Sequence, residues 1–384
     1  MKSLPPVHIR GLGLSCALGI GLHDCVTALA SGSIRTVPVT LSGFNEPVEM
    51  PYYRIPDSAG LFEEARFERL ILQVVHEAIR NAGLSPDECA GLPIFIGSSA
   101  FTVGLSESRY GAELAAGSKD PLPLPLAGFE HIAALIQKSL AVQGPAYAFN
   151  TACTAAANAL LCATRQLQLG RAKHALVVGV ELANQTTLAG FSGLQLIAKS
   201  LKPFDLGRSG IVLGEGIGAA LLSTSAGSHG VRLIAGASNC DTHSVTTANP
   251  DGSSIASLQA NLLAQAGLDA SEIVAIKAHG TASPMNDTGE AAGMHRIFNP
   301  LPPVLALKPF TGHTLGACGV NELALLCGAL KQGFLPATAG FEHEDPLLKV
   351  QPLTKRLPAP IGHYLLNYFG FGGNNAALLI EKHA

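Results

Sequence analysis

Tryptophan is absent from this chain of 384 residues, and charged residues make up only 14% of it. No run of like charges forms a tail, and the formal charge is −3. A global field that would gather nucleic acid is therefore excluded. No low-complexity tract occurs. Hydrophobic residues reach 47%, so a large buried fraction is expected and disorder is not. No stretch supplies the roughly 18 consecutive apolar residues of a membrane span. The eight cysteines are Cys16, Cys25, Cys89, Cys153, Cys162, Cys240, Cys318 and Cys327. None stands in CxxC spacing, so no zinc site or other metal is expected. Several sit in apolar stretches as small hydrophobes, which suits a reducing, cytoplasmic compartment.

Glycine is plentiful, at 42 residues, which suits tight turns and close backbone approaches. The opening MKSLPPVHIRGLGLSCALGIG superficially resembles a secretion signal, but Arg10 and several glycines break its apolar run. A buried first strand from Val7 to Leu12 is the better reading. GLGLSC lacks the third glycine of a dinucleotide loop, so nucleotide binding is not expected.

Strand and helix patterns alternate, which argues for an α/β fold. Strands are predicted at Pro93–Gly97, Tyr147–Phe149, His174–Val180, Gly218–Ser223, Val274–Ala278, Pro303–Leu307 and Ala376–Glu381. Helices are predicted at Phe67–Ala82, Phe129–Ser139, Ala155–Leu169, Ile255–Ala266 and Val320–Gln332. The chain also echoes itself. NAGLSPDECAGLPIFIGSSA at 81–100 and QAGLDASEIVAIKAHGTAS at 265–283 each end a helix in Ala-Gly-Leu, then run through an acidic loop into an apolar strand. YAFNTACTAAANALLCATRQL and ALKPFTGHTLGACGVNELALL each read as strand, polar turn and apolar helix. Two related halves, 1–225 and 226–384, follow. The two apolar helices carry little polar face, so both belong in a central layer between two sheets.

Those two helices bring the chemistry. Cys153 opens the first, where Asn150 and Thr151 are placed to cap it. The helix dipole there is expected to lower the thiol pKa. His279 follows an apolar strand, and His313 sits in a Gly-Thr turn before the second apolar helix. Lys308, five residues before His313, requires a carboxylate, and Glu290 is the candidate with Asp287 as runner-up. FGFGGNN at 369–375 is a glycine-rich turn able to aim backbone N–H groups at a ligand.

In order, NTACTAAANAL, KPFDLGRSGIVLGEGIG, AHGTASPMND, LKPFTGHTLGACG and NYFGFGGNN resemble the motifs of elongating β-ketoacyl-ACP synthases over nearly the whole chain. The resemblance implies a thiolase-like fold of five αβαβα layers in two pseudo-repeated halves, usually dimeric. It implies that Cys153 carries the acyl chain and that His279 and His313 drive decarboxylative condensation with malonyl-ACP. Lys308 and Glu290 would orient the histidines. Backbone N–H groups of Cys153 and Phe371 would form an oxyanion hole. Thr281 and Ser283 would contact pantetheine, and Phe369 and Phe371 would gate the second substrate. No cofactor is implied.

The implied partners are an acidic acyl carrier protein and a second chain. The carrier would meet a basic rim drawn from Lys199, Lys202, Arg171 and Lys173. The second chain would be an identical copy or a homologous ketosynthase or chain-length-factor subunit. Ser209, Ile211, Asn286 and Asn374 depart from the family pattern, and the stretch between Phe191 and Phe204 is shorter. These departures point to a specialised, polyene- or polyketide-type pathway. The alternative reading is a chain-length-factor-like subunit without chemistry of its own, although such subunits usually lack the nucleophile.

Overall fold

The computed structural model describes residues 5–41, 46–61, 63–119, 128–227 and 229–383. Five strands of the first half are β1 (Val7–Cys16), β2 (Ile94–Gly97), β3 (Ala146–Phe149), β4 (His174–Glu181) and β5 (Gly216–Ser223). They lie in the order β3-β2-β4-β5-β1, with β2 parallel to β3 and β4, and the β4–β5 and β5–β1 pairs antiparallel.

Five strands of the second half are β6 (Val231–Cys240), β7 (Ile273–Lys277), β8 (Val304–Leu305), β9 (Gly362–Phe369) and β10 (Asn374–Lys382). Their order, β8-β7-β9-β10-β6, and their strand directions repeat those of the first set. A short pairing of Val7 and His8 with Leu233 and Arg232 joins β1 to β6.

The echo in the sequence has a matching local structure. Helix α1 (Glu64–Ala82) ends on left-handed Gly83, and Ser85 with Glu88 forms a capping box before β2. Helix α3 (Ser253–Ala266) ends on left-handed Gly267, and Asp269 with Glu272 forms another before β7. A left-handed C-cap favours glycine because no Cβ obstructs it. Helix α2 (Ala155–Gln168) and helix α4 (Cys318–Lys331) form the central layer.

Both central helices touch strands of both sheets, while α1 covers the first sheet and α3 the second. The resulting α–β–α–β–α stack is the expected one. Every residue of α4 from Cys318 to Leu330 is buried, which accounts for its lack of a polar face. Small residues let the two central helices touch. A Cβ added at Gly319 would lie 2.1 Å from the backbone nitrogen of Ala157.

The predicted elements lie within a few residues of those observed. The long strand β6, reading VRLIAGASNC, was not predicted, because its Gly, Ser and Asn residues dilute the apolar alternation. Helix α5 (Pro284–Ile297) was missed too. It contains Gly289 and Gly293, which seat against Asn249 and Ile255, so it is held by packing and not by propensity. No helix among the described residues is long and apolar enough to cross a membrane.

Candidate active site

Cys153 lies in a 3-10 turn, Ala152–Thr154, that feeds α2. Ala152 just before it has φ of 50°, a left-handed conformation that costs a non-glycine residue energy. The matching turn before α4, Leu315–Ala317, begins on Leu315 with φ of 40°. His313 stands two residues ahead of that turn, and His279 follows the end of β7. The expected side-chain cap is not present. Asn150 donates to the carbonyl of Ser99, and the Thr151 hydroxyl accepts from Thr154 and Asn158. Both side chains brace the turn and neither caps the helix.

Cys153, His279 and His313 line one cleft. Thr281, Ser283, Phe369 and Phe371 line it too. The two imidazole rings are 5.4 Å apart and nearly perpendicular. Phe369 meets His279 edge-on at 5.7 Å, and Phe371 stacks on Phe191 at 5.5 Å. Backbone N–H groups of Phe371 and of Cys153 itself face the Cys153 sulfur. The turn bearing Phe371 is tightly held. Gly372 N–H donates to Val245 O at 2.7 Å, Asn374 donates to Phe371 O at 3.1 Å, and a Cβ at Gly373 would strike Asp241 O. Ser283 caps α5 by accepting from the Asn286 N–H, which fixes the wall that carries Thr281.

Lys308 is fully buried, and its carboxylate partner is not Glu290. Its ammonium donates to Glu322 at 2.8 Å, to His279 O at 2.5 Å and to His279 Nδ1 at 3.1 Å. Glu290 instead accepts from the backbone N–H groups of His279 and Gly280, at 2.8 and 2.9 Å, and from the Asn367 amide. It therefore holds the His279 turn by its backbone. Asp287, the runner-up, accepts from Phe204 N–H and Ala282 N–H. Glu322 also accepts from Lys277, a second fully buried ammonium lying 3.7 Å over the Tyr368 ring. Neither Glu322 nor Lys277 was anticipated. The available signal was a lone charge inside an otherwise apolar helix or strand, because such a group requires a partner.

The electrostatics follow from this geometry. Burial raises Glu322, but Lys277 and Lys308 outweigh it and hold its carboxyl below the usual range. Burial lowers Lys308, yet the Glu322 charge keeps it above its ordinary value. Lys277, with burial dominant, falls to about 8. Burial and then the Lys308 charge hold both His279 and His313 well below the usual histidine range, so both rings are neutral near pH 7. An ammonium has no acceptor, so Nδ1 of His279 must accept from Lys308. Its ring proton is then on Nε2.

The helix-dipole expectation for Cys153 is not met. Burial pushes the thiol up to about 12, against the opposing pull of Lys308 and of the Phe371 N–H. Alkylation of Cys153 by iodoacetamide should therefore rise about tenfold per pH unit from pH 7 to 10, because only the thiolate reacts. A plateau near pH 7, followed by mass spectrometry of the Cys153 peptide, would contradict this.

The basic-rim candidates separate into two groups. Lys199 is exposed and follows the cleft residue Leu196, and Lys202 pairs with Glu342 at 2.6 Å. Arg171 and Lys173 lie beyond the C-terminus of α2, whereas Cys153 precedes its N-terminus. The helix puts about 20 Å between them and the cysteine, and neither lines the cleft.

A cysteine and two neutral imidazoles line one cleft, with backbone N–H groups facing the sulfur, and this constellation can support nucleophilic chemistry with oxyanion stabilisation. Residues 54–227 match the family "Beta-ketoacyl synthase, N-terminal domain" and residues 231–342 match "Beta-ketoacyl synthase, C-terminal domain". The chain belongs to the β-ketoacyl synthase family, whose members are acyltransferases.

Among its relatives, a mitochondrial 3-oxoacyl-[acyl-carrier-protein] synthase of Arabidopsis thaliana is 27% identical over 98% of this chain and 93% of the relative. A chain of the solved complex of the ketosynthase ApeO with its chain length factor ApeC, from Xenorhabdus doucetiae, superposes with a TM-score of 0.86. Its identity is 24% and both chains are covered fully. A type II polyketide synthase assembly, AntDE:AntF, in which an acyl-carrier protein is in complex with its ketosynthase, gives a TM-score of 0.86 at 20% identity, again with full coverage of both chains. The chain thus shares the thiolase-like ketosynthase fold with these two solved structures.

Proposed function

We propose that this chain is a condensing enzyme that carries an acyl group on Cys153 and extends it by two carbons from malonyl-ACP. The observation that carries this reading is that Cys153, His279 and His313 line one cleft with both imidazoles neutral. Cys153 attacks the thioester of acyl-ACP. Its proton leaves during the attack and ends on the departing pantetheine thiol. N–H groups of Cys153 and Phe371 stabilise the tetrahedral oxyanion. The apolar wall beside Cys153, including Leu188, Ile211 and Leu315, accommodates the chain.

Malonyl-ACP then enters past Phe369 and Phe371, its pantetheine against Thr281 and Ser283. Its carboxylate leaves as carbon dioxide. The electron pair becomes an enolate whose oxygen accepts from the Nε2–H groups of His279 and His313. The enolate carbon attacks the acyl thioester, and the Cys153 thiolate departs and takes up one proton. Lys308, anchored on Glu322, fixes the His279 ring, and Glu290 fixes its backbone. His313→Ala should lower carbon dioxide release from malonyl-ACP by about a hundredfold, on the usual scale for an oxyanion donor. An intact rate would remove His313 from this role.

The topological repeat supports two halves, 1–225 and 226–384. Exposed Lys199 supports a carrier-protein rim, with Lys202 partly committed to Glu342. The edge strand β3 leaves Ala146, Tyr147 and Ala148 exposed, which supports a dimer with a second ketosynthase-like chain, identical or homologous. A cytoplasmic setting and a polyene- or polyketide-type pathway complete the reading. Incubating the protein with acyl-ACP should add one acyl mass at Cys153. No acylation, alone or with a co-purified partner, would favour a chain-length-factor-like subunit instead.

A further inference from the structure

The two imidazoles are held differently. Nδ1 of His279 faces a cation, but Nδ1 of His313 faces a thiol, Cys318 Sγ, at 3.3 Å. Cys318 is fully buried at the first turn of α4. Its sulfur accepts from the Thr314 hydroxyl at 3.5 Å, and that hydroxyl oxygen accepts from the Asn321 amide at 3.2 Å.

Proton counting favours one direction for this chain. The amide nitrogen only donates. Thr314 has one hydroxyl proton, directed at the sulfur. Cys318 has one proton, and burial pushes its thiol up to about 12, so it keeps that proton. The S–H is left for His313 Nδ1. A ring nitrogen that accepts leaves the ring proton on the other nitrogen.

We propose that Cys318 is a positioning residue that ends a donor chain from Asn321 through Thr314 and locks His313 in the Nε2–H tautomer. Both rings then present the same donor to the cleft, one set by an ammonium and one by a thiol. That this tautomer matters for turnover rests on the condensing-enzyme reading; the tautomer itself does not.

The test uses protein with 15N-labelled histidine rings, in which long-range 1H–15N correlation separates the tautomers. The His313 signals are assigned by their loss in His313→Ala. The wild type and Cys318→Ser should show His313 as Nε2–H, because serine keeps a donor. Cys318→Ala and Thr314→Val should show a mixture with Nδ1–H. Decarboxylation of malonyl-ACP should fall about tenfold in Cys318→Ala and stay within about threefold in Cys318→Ser, as expected for loss and rescue of one buried hydrogen bond. Acylation of Cys153 should stay within about threefold in both, since that step does not use the His313 donor.

An unchanged tautomer in Cys318→Ala overturns the proposal, as does an equal loss of acylation and decarboxylation. Should the alanine variant fail to fold, the near-isosteric Thr314→Val carries the same test. If the wild type shows the tautomer and Cys318→Ala loses it, yet the wild type never decarboxylates malonyl-ACP, the tautomer lock stands and the condensing reading falls.

Discussion

Cys153→Ala should abolish condensation, with a loss on the order of a thousandfold or more, because no other group replaces a covalent acyl carrier. Cys162→Ala should leave the rate nearly unchanged. Cys162 is half-buried on the same helix, nine residues further along. That spacing places it about 13 Å from the nucleophile, and it does not line the cleft. The comparison also controls for packing, since both substitutions remove one sulfur from α2 or its leading turn. Acyl transfer and carbon dioxide release, measured on both variants, check it. Equal losses would mean that the wrong thiol had been chosen.

Glu322 should be the residue whose loss is felt in both stability and rate. It is the shared counter-ion of Lys277 and Lys308, and all three side chains are fully buried. Removing one partner of a buried ion pair leaves uncompensated charge, at about 3–5 kcal/mol. Glu322→Leu should therefore lower the urea midpoint by a corresponding amount, and condensation should fall because Lys308 no longer holds His279 Nδ1. The loss should be partly relieved when Lys277→Met removes one of the two stranded ammoniums. A coupling of at least about 1 kcal/mol between the two substitutions is expected for groups in one network. Strict additivity would contradict the shared-carboxylate account. Glu290→Gln should behave differently, shifting the His279 turn without stranding a lysine.

The route from sequence to site was legible where chemistry leaves a local mark. Cys153, His279 and His313 each stand in a short turn beside a strongly apolar strand or helix, and the apolar character of α2 and α4 announced a central buried layer. The Ala-Gly-Leu echo announced the repeated sheet order. The carboxylate that serves Lys308 was not legible, because it was sought near His279, in the α5 segment. The fold instead uses Glu322, fourteen residues downstream of Lys308 on α4. Only tertiary packing brings the start of that helix under the end of β7.

The thiol pKa was misjudged for a related reason. A dipole can be read from a helix start, but the depth of burial that outweighs it cannot. Nothing in GACGV signals that the Cys318 sulfur meets an imidazole. Likewise, Arg171 and Lys173 carry the right charge, but only the direction of α2 reveals that they lie at its far end.

The most direct measurement is a single turnover. The protein acylated on Cys153 is mixed with malonyl-ACP, and both the enzyme and the carrier are weighed by intact mass spectrometry. Conversion of malonyl-ACP into the 3-ketoacyl-ACP two carbons longer, with Cys153 returned to the free thiol, is the predicted result. Acyl-Cys153 persisting beside unchanged malonyl-ACP would contradict it.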